Sequence, residues 1–170
     1  IIGIILFMYF YYSGDDWRTA SRQSSGIAPN ALLTNEAVVQ VYGADAWSWR
    51  GLFAIHTWIA VKRSGEHFYT VYDVVGWRVF KGQPAMEIER DVPDRLWFGK
   101  RPTVLIEHRG ERAEHLIDAI HRAALSYPWK TEYVVYPGPN SNTFTAWISQ
   151  QVPELELVLP WSAIGKNYID

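Results

Sequence analysis

The chain has 170 residues, of which 48% are hydrophobic and 20% charged, and its formal net charge is −2. This composition excludes a disordered chain, since it can bury a core, and the length fits one domain with an appendage. The slight negative charge argues against a sequence-independent nucleic-acid binder, and the absence of cysteine excludes disulfides, cysteine zinc sites and thiolate nucleophiles. The 9 Trp, 10 Tyr and 7 Phe indicate an aromatic core, a membrane-proximal surface or a stacking site.

Residues 1–12 are apolar apart from tyrosine hydroxyls and carry no charge. Twelve residues are too few to cross a bilayer, which takes about 20. We interpret them as the C-terminal part of a membrane-anchor helix that ends in an aromatic belt. A buried core helix or strand is the alternative, and a signal peptide fits less well because no small-residue cleavage site follows. Residues 13–36 are predicted to be a linker, and residues 37–170 an α+β domain that is truncated at its C-terminus.

The clearest pattern is a β-hairpin with strands over 52–62 and 67–77, joined at Ser64-Gly65. A two-residue turn there places His56 directly across from Asp73. Alternation along the first strand puts Thr57 and Ile59 on the core face, and His56 with Trp58 on the opposite face.

The other elements follow from periodicity and breakers. Helical spacing predicts helices over 111–125 and 140–151, the second capped by Asn140 or Ser141. Runs rich in β-forming residues predict strands over 37–43, 103–107, 132–136 and 155–159, and residues 79–94 are predicted to be a connector with a solvated charge run. The expected fold is α+β, with an antiparallel sheet of about five strands and two main helices on one side.

Candidate chemistry converges on His56, Asp73 and the turn that contains Ser141. A helix N-terminus supplies free N–H groups for an anion or oxyanion. Ser141 as nucleophile, His56 as base and Asp73 as its orienting carboxylate would form a hydrolase triad. A serine before a helix is also a common N-cap, and a single strand histidine is often structural.

Four further residues are candidate ligand contacts. Asn140 and Asn142 either brace the turn or touch a ligand. Trp58 and Tyr69 either line a pocket or pack in the core. No histidine spacing is typical of a metal site, and no phosphate loop or dinucleotide motif is present, so we expect neither metal nor cofactor.

Four stretches, 39–42, 49–62, 72–77 and 136–144, resemble an uncharacterised bacterial family, domain of unknown function 3750. The resemblance covers roughly residues 37–168. It implies a bacterial membrane-associated protein and carries no biochemical function.

The order of a strand histidine followed by a helix-start nucleophile also resembles the circularly permuted papain-like fold of NlpC-type and lecithin:retinol acyltransferase-like enzymes. Their Asn-Cys-x-x-Phe motif matches Asn140, Ser141 and Phe144, with serine in place of the cysteine. The resemblance implies a serine enzyme or a catalytically inactive relative that binds.

We therefore expect a membrane-anchored, papain-like domain that binds within, or structurally supports, a membrane assembly. The alternative is an envelope hydrolase or acyltransferase that uses Ser141, His56 and Asp73. The expected partners are the lipid bilayer and membrane-protein subunits, without nucleic acid. By analogy, the domain is expected at the bacterial inner membrane, facing the periplasm.

Overall fold

A computed structural model of the chain describes residues 19–169. Within them lie five strands: β1 (Val38–Asp45), β2 (Ile55–Lys62), β3 (Thr70–Val74), β4 (Met86–Arg90) and β5 (Thr103–Arg109). All neighbouring strands are antiparallel, in the order β4-β3-β2-β1-β5. The α-helices of this part are α1 (Gly76–Phe80), α2 (Gly110–Leu125) and α3 (Ser141–Gln151), and short 3-10 turns span Ser48–Leu52, Pro153–Leu155 and Lys166–Ile169. The predicted α+β class and five-stranded antiparallel sheet are confirmed.

The two longer helices cover one face of the sheet, which we call the helix face. Leu116, Ile117 and Ile120 repeat at helical spacing on α2 and are buried against strand residues such as Val41 and Ile59. α2 begins one residue before its predicted start, and α3 begins directly after Asn140, which caps it. Both helix predictions are confirmed.

The opposite face, here the aromatic face, is buried beneath loops. Its core contains Tyr42, Trp58, Tyr69 and Trp97. Asp94 holds a covering loop in place: its carboxylate accepts hydrogen bonds from the backbone N–H groups at positions 27 and 28, at 2.7 and 3.1 Å. Part of the predicted linker therefore packs on the domain.

One end of the sheet gathers several chain connections. β1 ends there, β2 begins there and β5 begins there, because Asp45 pairs with Ile55 and Gly43 pairs with Thr103. β3 also ends and β4 begins at this end. We call it the near end; it carries the loop over 46–54 and helix α1. The far end carries the β2–β3 turn at Ser64-Gly65.

The predicted hairpin register is wrong by two residues. Ile59 pairs with Tyr72, so that His56 and Asp73 are diagonal rather than directly opposite neighbours. The turn does contain Ser64-Gly65, but β3 resumes only at Thr70 because the segment between them forms a longer loop. A shift by an even number keeps each side chain on its predicted face.

Three other element predictions are wrong. Residues 132–136 and 155–159 are not strands, whereas β4 lies inside the predicted connector. Its sequence alternates, with Met86 and Ile88 packed on the core and Glu89 exposed, so the solvated charge run is an edge strand. The predicted strand over 67–77 ends at Val74, where α1 soon follows.

The predicted anchor over residues 1–12 lies outside the described residues. Among residues 19–169, none of the helices combines the length and apolar character needed to cross a membrane.

Candidate functional site

His56 and Asp73 meet on the aromatic face, as their shared face predicts. His56 Nε2 lies 2.8 Å from Asp73 Oδ1, and both side chains are buried. The backbone N–H of Val74 donates to the same oxygen at 2.7 Å. Asp73 thus fixes the histidine ring through one nitrogen, while Nδ1 of His56 has no hydrogen-bond partner in the described part of the chain.

Arg95 completes a charged network that the sequence did not reveal. Its guanidinium donates from Nη2 to Asp73 Oδ2 at 2.6 Å, and its Nη1 lies 2.8 Å from Asp91 Oδ2. Burial would raise the pKa of Asp73, but His56 and Arg95 outweigh it and hold that pKa below its ordinary value. Asp73 is therefore a carboxylate with a partner on each oxygen.

Aromatic rings enclose this network. The indole of Trp97 stacks on the His56 ring with centroids 3.6 Å apart and planes 4° apart, and the His56 side chain is only 5% exposed. The ring of Trp58 is tilted relative to the His56 ring, and the two ring centroids are 5.9 Å apart. The stacking fixes the imidazole plane, and it leaves little room for a substrate beside the ring.

On the helix face, the start of α3 is held by two asparagines. The Asn140 side-chain oxygen accepts from the backbone N–H groups of Asn142 and Thr143, and its amide nitrogen donates to the Val135 and Ile164 carbonyls. This is an N-cap joined to two neighbouring segments. A Cβ at Gly165 would stand 2.7 Å from Asn140 Oδ1, so only glycine fits there.

Asn142 ties α3 to β2. Its amide nitrogen donates to the carbonyls of Ile55 and Ile164, both at 2.9 Å, and its oxygen accepts from the Thr57 hydroxyl at 2.9 Å. All four amide hydrogens of the two asparagines are used by protein carbonyls. The bracing role predicted for Asn140 and Asn142 has full structural support, and a ligand contact by either stays a prediction.

Ser141 lies in the first turn of α3, next to Thr57 rather than His56. Its carbonyl oxygen is 3.4 Å from the Thr57 hydroxyl, and its side chain is 2% exposed. Within residues 19–169, no group forms a hydrogen bond with the Ser141 hydroxyl. Because Thr57 and His56 are consecutive in β2, they point to opposite faces of the sheet. The structure brings His56 and Asp73 together but does not join Ser141 to them.

Trp58 and Tyr69 both lie in the aromatic-face core. Trp58 Nε1 donates to the Pro93 carbonyl at 2.7 Å, and the Tyr69 hydroxyl donates to the Pro29 carbonyl at 2.9 Å. Burial raises the pKa of Tyr69 to about 12. Both polar groups hold covering loops, and their ligand roles stay predictions. The described residues also contain no group of three or more His, Asp or Glu side chains that could hold a metal ion.

A comparison with known protein families identifies the family of the chain. The family described as "Protein of unknown function (DUF3750)" matches residues 36–168. The chain belongs to this family. The match includes β1–β5, the three helices, His56, Asp73 and Ser141. No curated protein and no solved structure matches the chain.

Proposed function

We propose that the chain is a membrane-anchored domain that binds within, or structurally supports, a membrane assembly. One observation carries the proposal: the first turn of α3 is bonded to Thr57 on the helix face, whereas His56 belongs to the network on the aromatic face. A general base must come within hydrogen-bond reach of the proton that it takes. Within residues 19–169 no hydrogen bond joins Ser141 to His56, whose hydrogen bond goes to Asp73.

The surroundings of each candidate residue support the same proposal. The His56 ring lies between Asp73 and Trp97, and the amides of Asn140 and Asn142 are saturated by the protein. Buried amides whose hydrogen atoms all have acceptors in the protein, as in Asn140 and Asn142, are typical of structural networks. The anchor predicted over residues 1–12 supports the membrane location.

The permuted papain-like arrangement remains part of the proposal. A histidine on an early sheet strand followed by a polar helix start, here His56 and Asn140-Ser141, supports it. In this interpretation the serine replaced the cysteine nucleophile, and the helix start was kept for its bracing role.

An envelope hydrolase or acyltransferase is the second candidate. The 2.8 Å contact between His56 and Asp73 favours it, because a carboxylate on one ring nitrogen orients the other as a base. This function requires the Ser141 hydroxyl to approach His56 Nδ1 within about 3 Å.

The proposed function is tested with the full-length protein in its own membranes. Membranes are dissolved in mild detergent, and the particle is sized by native electrophoresis beside purified, reconstituted protein. We expect a particle larger than the reconstituted protein, unchanged in size by Ser141→Ala. A native particle no larger than the purified protein would contradict an assembly role.

A further inference from the structure

The near end of the sheet exposes a set of large apolar side chains, which we call the near-end rim. They are exposed between 40% and 74% of their surface: Trp47, Trp49, Leu52, Phe53 and Trp161. Contiguous exposed apolar surface on a domain marks a protein or membrane contact.

Two backbone hydrogen bonds hold this rim together. Ala46 N donates to the Ala54 carbonyl at 2.9 Å, which closes the loop over 46–54 at its base. Ile55 N donates to the Ser162 carbonyl at 3.0 Å, which brings Trp161 beside the end of the same loop. The rim is therefore built from two segments fixed to the start of β2.

Trp47 connects the rim to the domain core. Its ring lies 6.1 Å from that of Phe98, and Phe98 contacts Trp97 at 5.1 Å. The rim thus continues the buried aromatic cluster outward to the surface.

Three basic side chains lie at the near end, together with the exposed Asp45 at the end of β1. Arg50 lies within the loop, with its guanidinium carbon 5.4 Å from the centre of the Trp49 ring. Lys81 follows α1, and Arg101 precedes β5, so both lie at the near end and are exposed. Tryptophan together with Lys or Arg is the combination that favours the headgroup layer of an anionic bilayer.

The N-terminal part of the chain approaches the same end. Ser24 pairs antiparallel with Arg95, and Leu96 N donates to the Gln23 carbonyl at 2.9 Å. Residues 95–98 run toward the near end, where Phe98 meets Trp47. Followed backwards from Ser24 to Gln23, the chain therefore also heads toward the near end.

Chain length limits how far the anchor can be from the domain. Seven residue steps separate Tyr12, the last residue of the apolar segment, from Thr19. A fully extended chain of that length spans at most about 25 Å. The membrane that holds residues 1–12 must lie within this distance of Thr19.

We infer that the near-end rim rests in the headgroup layer of an anionic phospholipid bilayer, and this inference relies on the membrane anchoring of the proposed function. The anchor and the rim then hold the domain in one orientation, with the sheet's near end toward the lipid. Amphipathic surfaces of this kind enter about 5–10 Å into the boundary between headgroups and acyl chains.

The chain has no cysteine, so a single introduced cysteine can be labelled uniquely. Phe53→Cys places an environment-sensitive fluorophore on the rim. Leu33→Cys is the matched control: Leu33 is an apolar residue exposed by 84%, and it lies near the far end because Asn35 accepts from Gly65 N. Full-length protein is reconstituted in vesicles of phosphatidylethanolamine and phosphatidylglycerol, with and without brominated lipids. A Trp161→Cys label reports on the rim independently if Phe53→Cys perturbs folding.

We expect brominated lipid to quench the label at 53 or 161, and to leave the label at 33 unchanged. If the protein floats with the vesicles but the rim labels respond no more than the control, the rim inference is wrong and a protein partner is the better occupant. If the protein does not float with the vesicles, the membrane anchoring of the proposed function fails, and the inference fails with it.

Discussion

The two faces of the sheet bury polar side chains in different ways. Around the start of α3, the helix face uses neutral groups, namely the amide of Asn142 and the hydroxyls of Thr57 and Thr145. The aromatic face uses charged groups, with Asp73 between His56 and Arg95. Strand β2 separates the two networks, since its consecutive residues point to opposite faces.

The two networks should therefore differ in how much stability a single substitution removes. A buried charge without its partner costs more free energy than an unpaired amide. A single substitution should therefore lower the free energy of unfolding most on the aromatic face, less on the helix face, and least at Ser141.

The largest effect is expected for Asp73→Asn. It removes the Asp73 carboxylate from Arg95, which is 1% exposed and keeps the Asp91 carboxylate, and breaking a buried ion pair of this kind costs about 3–5 kcal/mol. The free energy of unfolding is measured by denaturant titration of the full chain. Glu89→Gln on the neighbouring edge strand, where the side chain is exposed, serves as the control. An equal loss in both variants would show that the charged network does not hold the aromatic face.

A smaller loss is expected for Asn142→Ala. It removes the side-chain donor to Ile55 O and one of the partners of the Thr57 hydroxyl, which still has Thr145, and losing buried hydrogen bonds in this way costs about 1–3 kcal/mol. Asn167→Ala, at an exposed asparagine in the C-terminal segment, should change the unfolding free energy little. A loss for Asn142→Ala that exceeds the Asp73→Asn loss would reverse the ranking of the two faces.

The unfolding free energy of wild type and Asp73→Asn should depend differently on pH. His56 and Arg95 lower the pKa of Asp73 against the effect of its burial. The ionised Asp73 carboxylate therefore makes its full contribution to the unfolding free energy above the ordinary aspartate pKa of about 3.9. This contribution is lost as the pH falls through the lower pKa that Asp73 has in the folded protein. Wild type should lose more unfolding free energy than Asp73→Asn between about pH 5 and pH 2. Parallel curves for the two proteins would contradict the lowered pKa.

The smallest effect is expected for Ser141→Ala. The Ser141 hydroxyl has no hydrogen-bond partner in the described part of the chain, so the unfolding free energy should change by less than roughly 1 kcal/mol, the net contribution of one hydrogen bond. Thr143→Ala is the comparison, because that hydroxyl donates to Gly165 O and accepts from Asn140 N, and its loss should cost more. Equal losses would indicate an unrecognised role for the serine hydroxyl.

Local patterns were sufficient to predict much of the fold. Helical spacing located α2, and the polar turn before α3 limited its N-cap to Asn140 or Ser141, of which the structure has Asn140. Period-two alternation assigned His56 and Thr57 to their correct faces despite the wrong register, since faces depend only on parity. The strand β4 was missed because charged residues occupy its exposed positions, although Met86 and Ile88 show its alternation.

The site was predictable only in part. The contact between His56 and Asp73 followed from the hairpin, because both residues lie on adjacent strands. Arg95 comes from a loop that returns across the aromatic face, and no local pattern indicates that path. The separation of Ser141 from His56 depends on where α3 crosses β2, which tertiary packing decides.

The most direct test of the account is covalent labelling of the full-length protein with a serine-reactive phosphonate, read by intact mass and by the modified peptide. Ser141→Ala and His56→Ala are treated alongside wild type. We expect no adduct on Ser141, so that phosphonate treatment adds no mass to wild type or to either variant. A stoichiometric adduct on Ser141 in wild type that is lost in His56→Ala would contradict it, and would establish Ser141 and His56 as a catalytic pair.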